Sequence, residues 1–257
     1  MGNFLIVSKA DKLEEYKTIS EEYGVSFEIN DFFIPAILDN EIKQEEIIQK
    51  YFNIGIPKDS TIHGVFFDIA IFSQDEKIRT VSLERMVQSM ELARRLGVKG
   101  VVFHTNYNPY LISASYKKYF IDTTVKELSK LLEEYSDIEI YIENMFDTEP
   151  DILEGISKEL AHYKNYGVCL DWAHVNVYGH NNAEWIEYLS PYVKHIHIND
   201  NDFTDDLHLP IGDGNIDWKQ FFNYYTTYFG HCNVLIETSE PCNQRKSIEY
   251  IRKNLLV

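Results

Sequence analysis

The chain of 257 residues is long enough for one large α/β domain, and its 44% hydrophobic and 14% aromatic content excludes an intrinsically disordered protein. Its 24 Lys and Arg against 41 Asp and Glu give a net charge of −17, and no basic stripe reverses this charge locally, so nucleic acid is a disfavoured partner. The three cysteines show no C-x-x-C spacing, and their odd number argues against a disulfide framework.

The first residues carry one short apolar run, Phe4–Val7, which is too brief for a signal peptide or a membrane span. Ile6 stands where a myristoylation signal would need Ser or Thr. We therefore expect a soluble, cytoplasmic protein without a membrane partner.

Short apolar runs recur along the chain, and each is followed by a segment with helical periodicity. The runs have the length of buried strands. The eight predicted strands are Phe4–Val7, Val25–Ile29, Ser60–His63, Gly100–His104, Ile138–Glu143, Gly167–Asp171, Val193–Asn199 and Asn233–Glu237.

The segments between the strands place apolar residues at i, i+3, i+4 and i+7, as amphipathic helices do. Their ends carry capping residues. The clearest helices are Val81–Leu96 before a C-cap Gly97, Asp122–Tyr135 with Asp122 as N-cap, a helix from Trp218 with an Asp217–Gln220 capping box, and Gln244–Leu256.

Eight strand-helix units at a spacing of roughly 30 residues, without a linker or low-complexity tract, predict a single-domain (β/α)8 TIM barrel over residues 1–257. The alternative is a doubly wound open sheet. Such a sheet normally carries a glycine-rich phosphate loop after its first strand, and Val7–Asp11 contains no glycine. The pattern favours the barrel.

In a TIM barrel the catalytic groups lie at the carboxyl ends of the strands. The third to eighth predicted strands each end in, or carry near their end, a side chain that can bind a metal. Chance would supply one or two such residues, but not six in register. These residues are His63, His104, Glu143, Asp171, His197 and Glu237.

Further donors surround the same strand ends. His174 follows Asp171 by three residues, and the loop after the seventh strand carries Asp206 and His208. The nine carboxylates and imidazoles, without thiolates, suit Zn²⁺ or Mn²⁺, with Mg²⁺ or Co²⁺ as alternatives. Nine donors exceed the needs of one ion, and two or three ions would use them all if carboxylates bridge. A site that uses only part of the set would hold one, so we expect one to three ions per chain.

Other polar residues receive weaker interpretations. His195 lies two residues deeper on the face of His197, so we interpret it as a supporting histidine rather than a ligand. Glu28 ends the second strand and reaches toward the mouth, but no pattern supports a role. His162, His180 and His231 are predicted to lie on the surface.

The sequence resembles the xylose isomerase-like TIM-barrel superfamily, which holds sugar (phosphate) isomerases and epimerases and the class II AP endonucleases (AP endonuclease family 2). The resemblance is good over residues 61–240. Its motifs are IENM at 142–145, GVCLDWAH at 167–174, HIHINDND at 195–202, DDLHLPIGDGNIDW at 205–218 and LIET at 235–238.

The resemblance implies a ligand set. The superfamily's mononuclear site corresponds to Glu143, Asp171, His197 and Glu237, and the trinuclear zinc site of the endonucleases would add His63, His104, His174, Asp206 and His208. This chain departs from the endonucleases in three respects: it reads TNYNP after His104, it has Trp172 after Asp171, and it lacks their arginine-rich DNA-facing loops.

The predicted mouth is aromatic, and aromatic rings pack on the apolar faces of sugars, whereas a polyanion would need Lys and Arg there. The candidate rings are Phe66, Phe67, Tyr107, Tyr110, Phe146, Trp172 and Tyr178, and the predicted substrate-binding residues are Tyr107, Trp172, Asn199, Asp200 and Arg245.

We therefore predict a divalent-metal-dependent isomerase or epimerase of a small carbohydrate-like substrate, a sugar or sugar phosphate. It would act through a metal-stabilised enediolate, with Glu143 and Glu237 as the catalytic residues that move the α-proton. The alternative is a zinc-dependent phosphoesterase with a di- or trinuclear site. A third class, a metal-binding barrel without turnover or one acting on a hydroxy acid or inositol derivative, stays open, as does a homo-oligomer.

Overall fold

Eight parallel strands close into a barrel in sequence order, which confirms the predicted (β/α)8 fold. The computed structural model describes residues 2–179 and 181–254. The strands are β1 Phe4–Ser8, β2 Ser26–Ile29, β3 Thr61–His63, β4 Gly100–His104, β5 Glu139–Glu143, β6 Tyr166–Asp171, β7 Val193–Ile198 and β8 Asn233–Ile236.

Helices follow each strand and surround the barrel. A π-helical turn, Tyr225–Phe229, extends the helix that leads to β8. The helices of the described residues are α1 Leu13–Tyr23, α2 Pro35–Leu38, α3 Glu41–Ile54, α4 Glu76–Leu96, α5 Ala114–Glu134, α6 Asp151–Leu160, α7 Trp172–Tyr178, α8 Asn182–Leu189, α9 Trp218–Tyr224 and α10 Pro241–Asn254.

The strand register sets the height of each functional side chain in the barrel. His104 pairs with Glu143 across β4 and β5, and Asp171 pairs with His197 across β6 and β7. Leu5 of β1 pairs with Leu235 of β8 and closes the barrel. Glu143 in turn pairs with Cys169, two residues before Asp171, so the register steps along the barrel between β5 and β6 while all four side chains still lie near the carboxyl ends of their strands.

The two faces of β5 show how the sequence separates core from interior. Ile140 and Ile142 belong to the large apolar cluster between strands and helices, whereas Tyr141 packs with Val102 and Cys169 in a separate cluster inside the barrel. Alternate residues of a strand point to opposite faces. Glu143, two residues after Tyr141, therefore points inward, as predicted.

One predicted helix start is wrong. The helix predicted from Asp122 begins at Ala114, where the Ser113 hydroxyl caps it by accepting from the Tyr116 amide. Asp122 lies in the helix interior and pairs with Lys118. The apolar stripe extends back to Phe120, which is fully buried, so tertiary packing moves the helix start two turns earlier.

The other predicted helices agree with the structure in their main part. The Val81–Leu96 prediction covers most of α4, which ends at Gly97 in the left-handed region (φ 68°). Asp217 caps α9 by accepting from the Gln220 amide. The predicted Gln244–Leu256 helix is α10, and its last two predicted residues lie outside the described residues. Within the described ranges, every helix is too short or too polar to span a membrane.

Candidate metal centre

Six carboxylates and imidazoles converge at the carboxyl rim of β3 to β8, and we call them the inner cluster. Two sets of their ligand atoms lie within 4.8 Å of one another. One set consists of His63, His104 and Glu143; the other consists of Glu143, Asp171, His197 and Glu237.

Glu143 belongs to both sets and lies between them. Its Oε2 atom is 3.6 Å from His63 Nε2 and 3.4 Å from His104 Nε2, whereas its Oε1 atom is 3.3 Å from His197 Nδ1. The side chain is 1% exposed. Two oxygens directed toward two donor sets are the geometry of a carboxylate that could bridge two cations.

Three further donors form the outer cluster, defined as His174, Asp206 and His208. Asp206 Oδ2 is 3.3 Å from His174 Nε2 and 2.8 Å from His208 Nε2. His174 Nδ1 is also 3.6 Å from Glu143 Oε1, so the two clusters adjoin. The structure thus brings together all nine metal-binding residues that the sequence predicted.

Backbone carbonyls orient three of the histidines. The Nδ1 atom of His63 lies 3.0 Å from the Gly64 carbonyl, that of His174 lies 2.8 Å from the Asn144 carbonyl, and that of His208 lies 2.9 Å from the Glu237 carbonyl. A carbonyl can only accept, so each Nδ1 carries a proton, and each Nε2 is the ring nitrogen that is left to bind a cation. Those Nε2 atoms face the carboxylates of the two clusters, as metal ligands do.

Glu28 orients His197, and sequence reasoning gave it no role. Its Oε1 atom is 3.2 Å from His197 Nε2, and its Oε2 atom is 3.1 Å from His195 Nε2 and accepts from the Thr61 hydroxyl at 2.8 Å. Glu28 is fully buried. Its carboxylate therefore directs His197 Nδ1 toward the inner cluster, and His195, stacked on Tyr141, supports the arrangement from below. The sequence did carry one sign of this role: Glu28 is a charged residue on the inward face of a mostly apolar strand.

The pKa values of the carboxylates in this centre are shifted by burial and by their charged neighbours. Burial alone would raise the pKa of Glu143, but His197 and His104 beside it hold that pKa well below its usual value. Burial raises the pKa of Asp171 well above its usual value; His174 opposes this shift, and Glu237 reinforces it. So many buried like charges are stable only with compensating protons or cations.

The unsatisfied atoms of the centre fit a bound divalent cation. Several buried polar side-chain atoms there have no hydrogen-bond partner among the described residues, although buried polar atoms normally find one. Carboxylate and imidazole donors at such a point suit Zn²⁺ or Mn²⁺. The atoms are His104 Nδ1, Glu143 Oε2, Asp171 Oδ2, His197 Nδ1, Asp206 Oδ1 and Glu237 Oε2.

Cys169 lies below this centre, next to His195 and His197. Burial raises the pKa of its thiol well above the usual value, so the sulfur stays protonated. A protonated thiol is a poor ligand. The candidate donors that lie at the carboxyl ends of the strands are carboxylates and imidazoles.

Six of the nine donors line a cavity of about 310 Å³, which we call the catalytic cavity; they are His63, His104, His174, Asp206, His208 and Glu237. The other three, Glu143, Asp171 and His197, are buried next to them. One wall is aromatic and the other is polar. The aromatic wall consists of Phe33, Phe66 and Phe67, and the polar wall includes Lys9, Asn30 and Ser239. A larger, open hollow of about 890 Å³ lies on the outer surface between α3 and α4, away from the strand ends.

Two predicted substrate contacts are wrong. The Tyr107 hydroxyl donates to the Leu111 carbonyl, and its ring packs on Phe120 inside the loop after β4. Trp172 is 1% exposed and packs on Phe221 of α9. Both rings stabilise the outer layer of the barrel rather than the cavity wall.

Asp200 is also not a substrate contact. Its carboxylate accepts from the Gly212 amide at 2.8 Å, from the Ile216 amide at 3.2 Å and from Trp218 Nε1 at 2.8 Å. These donors occupy the oxygens and hold the return of the loop to α9. Asp200 therefore organises the loop that carries the outer cluster.

The last two predicted substrate-binding residues, Arg245 and Asn199, have different outcomes. Arg245 lies on α10, where it pairs with Glu22 and covers the Tyr23 ring, so its predicted substrate contact is wrong. Asn199, just after β7, is fully buried with both amide atoms unpartnered, and its role stays a prediction.

Of the predicted mouth aromatics, Phe66 and Phe67 line the catalytic cavity, and Phe33 is a third ring that the sequence did not indicate. Tyr178 lies against His174 and Phe146 beside the outer cluster. His162 and His231 are exposed, as predicted, and His180 lies outside the described residues.

Comparisons with known proteins agree with this architecture. The family model described as "Xylose isomerase-like TIM barrel" matches residues 12–254. The uncharacterized protein MJ1311 of Methanocaldococcus jannaschii is 34% identical over 169 residues, which cover 61% of this chain and 56% of that protein. The chain thus matches little more than half the length of this relative.

Two solved structures have the same fold over nearly the whole chain. A D-tagatose 3-epimerase-like protein is 25% identical with a TM-score of 0.79, covering 99% of this chain and 97% of its own. The TTHB071 protein from Thermus thermophilus, soaked with ZnCl2, is 19% identical with a TM-score of 0.80, covering 98% and 97%.

Proposed function

The chain belongs to the xylose isomerase-like TIM barrel family, and on this basis we propose that it is a divalent-metal-dependent isomerase or epimerase of a small sugar or sugar phosphate. One observation carries the proposal: two carboxylates flank the same buried imidazole next to the catalytic cavity, and one of them, Glu237, lines that cavity. His197 Nδ1 is 3.3 Å from Glu143 Oε1 and 3.5 Å from Glu237 Oε2.

Glu143, Asp171, His197 and Glu237 would hold the cation that this reaction needs. When bound, a divalent cation polarises the substrate carbonyl and stabilises negative charge on its oxygen. Glu28 fixes the ring of His197, and the side chain of Asn144 fixes Asp171 by accepting from the Asp171 amide at 2.9 Å. Three of the four donors thus stand on strands, and Glu237 directly follows β8.

Glu143 and Glu237 supply the acid and base. Isomerisation and epimerisation both require one group to remove the proton next to a carbonyl and another to return a proton through an enediolate. Glu143 ends β5 and Glu237 follows β8, so the two carboxylates reach the centre from different strands. Glu237 lines the catalytic cavity, and Glu143 is buried next to it. Glu143 lies among histidines that favour its charged form, and the charged form is the one that can accept a proton.

The catalytic cavity suits a small carbohydrate. Its volume of about 310 Å³ lies at the small end of ligand pockets. Its phenylalanine wall can contact sugar C–H groups, and its polar wall can bind hydroxyls. Lys9 is the one cation among the cavity-lining residues of the described chain, which disfavours a polyanion. The relative titled D-tagatose 3-epimerase-like supports the same substrate class.

A second candidate is a zinc-dependent phosphoesterase resembling the class II AP endonucleases. The outer cluster favours it, because a four-ligand isomerase site does not need His174, Asp206 and His208 in contact. The nine donors would hold two or three zinc ions, which supply an activated water for phosphoester hydrolysis. The aromatic wall and the charge of −17 argue for a small phosphoester rather than DNA.

Product analysis separates the two candidates. The purified protein, with its metal content measured, is incubated with a panel of ketoses, aldoses and their phosphates and with bis(p-nitrophenyl) phosphate. We expect epimerised or isomerised sugar and one Mn or Mg per chain. Hydrolysis of the phosphodiester with two or three Zn, and no altered sugar, would favour the phosphoesterase. Protein that binds no added divalent metal would overturn both.

A further inference from the structure

A second cavity adjoins the aromatic wall of the catalytic cavity. It has a volume of about 310 Å³ and lies between the loop after β2, the loop after β3 and the start of α4. The two cavities share Phe33, Phe66 and Phe67. We call it the side cavity. The two cavities are therefore neighbours on either side of these three rings.

The side cavity is apolar because its polar groups are already satisfied. The Ser82 hydroxyl donates to the Ile78 carbonyl and accepts from the Ala70 amide. Arg85 forms a two-bond ion pair with Asp39, which neutralises its charge. The rest of the lining is aliphatic and aromatic apart from Asp68, an exposed residue.

Large apolar side chains around the side cavity are open to solvent. Ile34 is 45% exposed, Phe67 is 61% exposed and Val81 is 54% exposed. They come from three separate segments, yet they surround one concave space. A contiguous exposed apolar patch of this kind marks a binding surface, since it costs free energy in water until a ligand covers it.

A continuous series of rings connects the side cavity to the metal centre. The His63 and Phe66 ring centroids are 5.0 Å apart, and Phe66 is 4.5 Å from both Phe33 and Phe67. These rings give a ligand that extends from the metal centre toward the side cavity an apolar surface to pack on. The shape fits one aromatic ring or a short alkyl chain rather than a protein segment.

We propose that the side cavity binds an apolar aryl or short-alkyl substituent of the substrate. The preferred substrate is then a sugar conjugate rather than a free sugar. This inference rests on the proposed function only for the sugar half of the molecule. The apolar half follows from the side cavity alone.

The experiment compares methyl and phenyl β-D-glucopyranoside on metal-loaded protein, with isoleucine and valine methyl groups labelled for NMR. We expect the phenyl compound to shift the Ile34 and Val81 methyl signals and to bind roughly tenfold or more tightly than the methyl compound, because a ring is buried. Equal binding of the two compounds, or unshifted Ile34 and Val81 signals at millimolar phenyl glucoside, would overturn the proposal.

Two variants test the location. Val81→Asp places a charge in the side cavity and should remove the phenyl advantage while leaving methyl glucoside binding unchanged. Ile42→Asp, at a 74% exposed position on α3, is the matched control and should keep the advantage. Should Val81→Asp instead split a dimer and leave phenyl binding intact, the surface is an interface between copies and the proposal is wrong. Binding is read without turnover, so failure of the isomerase proposal would leave this result interpretable.

Discussion

The inner and outer clusters adjoin in one cavity, but they are built differently. The inner donors stand at strand ends, and their side chains are at most 13% exposed, Glu237 being the most open. In the outer cluster, Asp206 and His208 lie on a loop with side chains 18% and 38% exposed. His208 also has a φ of 48°, in the left-handed region that non-glycine residues rarely adopt.

The difference concerns how rigidly each cluster is held. Strand pairing fixes His104 beside Glu143 and Asp171 beside His197, whatever occupies the cavity. The loop donors depend on one another and on the bond from His208 to the Glu237 carbonyl. We infer that the inner cluster serves either candidate reaction, whereas the outer cluster decides between them.

The largest effect is expected from Glu143→Gln, which removes the carboxylate that both donor sets share. Turnover should fall roughly 10³-fold or more, since both proton transfer and metal binding are affected. Glu139→Gln, on the amino end of the same strand, is the control and should keep activity. Sugar conversion by Glu143→Gln at more than a tenth of the parent rate would remove Glu143 from the mechanism.

Glu28→Gln tests whether the contact of Glu28 with His197 holds the inner cluster in place. Gln keeps the size but replaces one acceptor oxygen with a donor that opposes His197 or His195. Metal affinity, measured by competition with a chromophoric chelator, should fall by roughly 10- to 100-fold, with kcat recovered at saturating metal. Exposed Glu22→Gln is the control. Unchanged metal affinity would mean that Glu28 does not position His197.

The double variant Asp206→Asn with His208→Ala removes the outer cluster. If the inner cluster is sufficient for isomerisation, turnover should fall less than roughly tenfold while the inner cation stays bound. Elemental analysis and kinetics check this, with the neighbouring Asp205→Asn as control. Complete loss of turnover would contradict the division of roles between the two clusters.

The smallest effect concerns Asp147, which supports the loop beside His104. Its carboxylate accepts from the Thr105 hydroxyl and the Met145 amide, and burial raises its pKa to about 6. A raised carboxyl pKa means that the fold favours the neutral form, so this contribution to stability is present at low pH and lost as pH rises through about 6.

Asp147→Asn should therefore be more stable than the parent at pH 8, by an amount on the order of 1–3 kcal/mol, but not at pH 4. Chemical denaturation in chelator measures the difference, and Asp205→Asn serves as the control. A stability gain that is the same at both pH values would contradict the assigned pKa.

The strand-end donors could be predicted because their direction depends only on the alternation of side chains along their own strand. Alternation along β5 places Ile140 and Ile142 toward the helices and Glu143 inward, and parallel strands of a barrel end on the same face. The same two rules placed His63, His104 and Asp171. Predicting the nine donors required no knowledge of how the loops fold, apart from the fact that β7 leads directly into residues 199–208.

The wrong predictions came from side chains whose direction depends on distant packing. Trp172 immediately follows Asp171, yet its ring turns to Phe221 of α9, which the sequence around it does not indicate. The Tyr107 hydroxyl donates to the Leu111 carbonyl within the same loop, which keeps the ring away from the cavity. Glu28 received no role for a related reason, because its partners His195 and His197 come from the far side of the sequence.

Solvent exchange tests the central claim most directly. The metal-loaded protein is incubated in D2O with ketopentoses, ketohexoses and their phosphates, and deuterium is followed by NMR. The proposed reaction predicts deuterium at the carbon next to the carbonyl, with incorporation abolished in Glu143→Gln and kept in Glu139→Gln. Cleavage of a phosphodiester by the same preparation, with no deuterium entering any sugar, would contradict the claim.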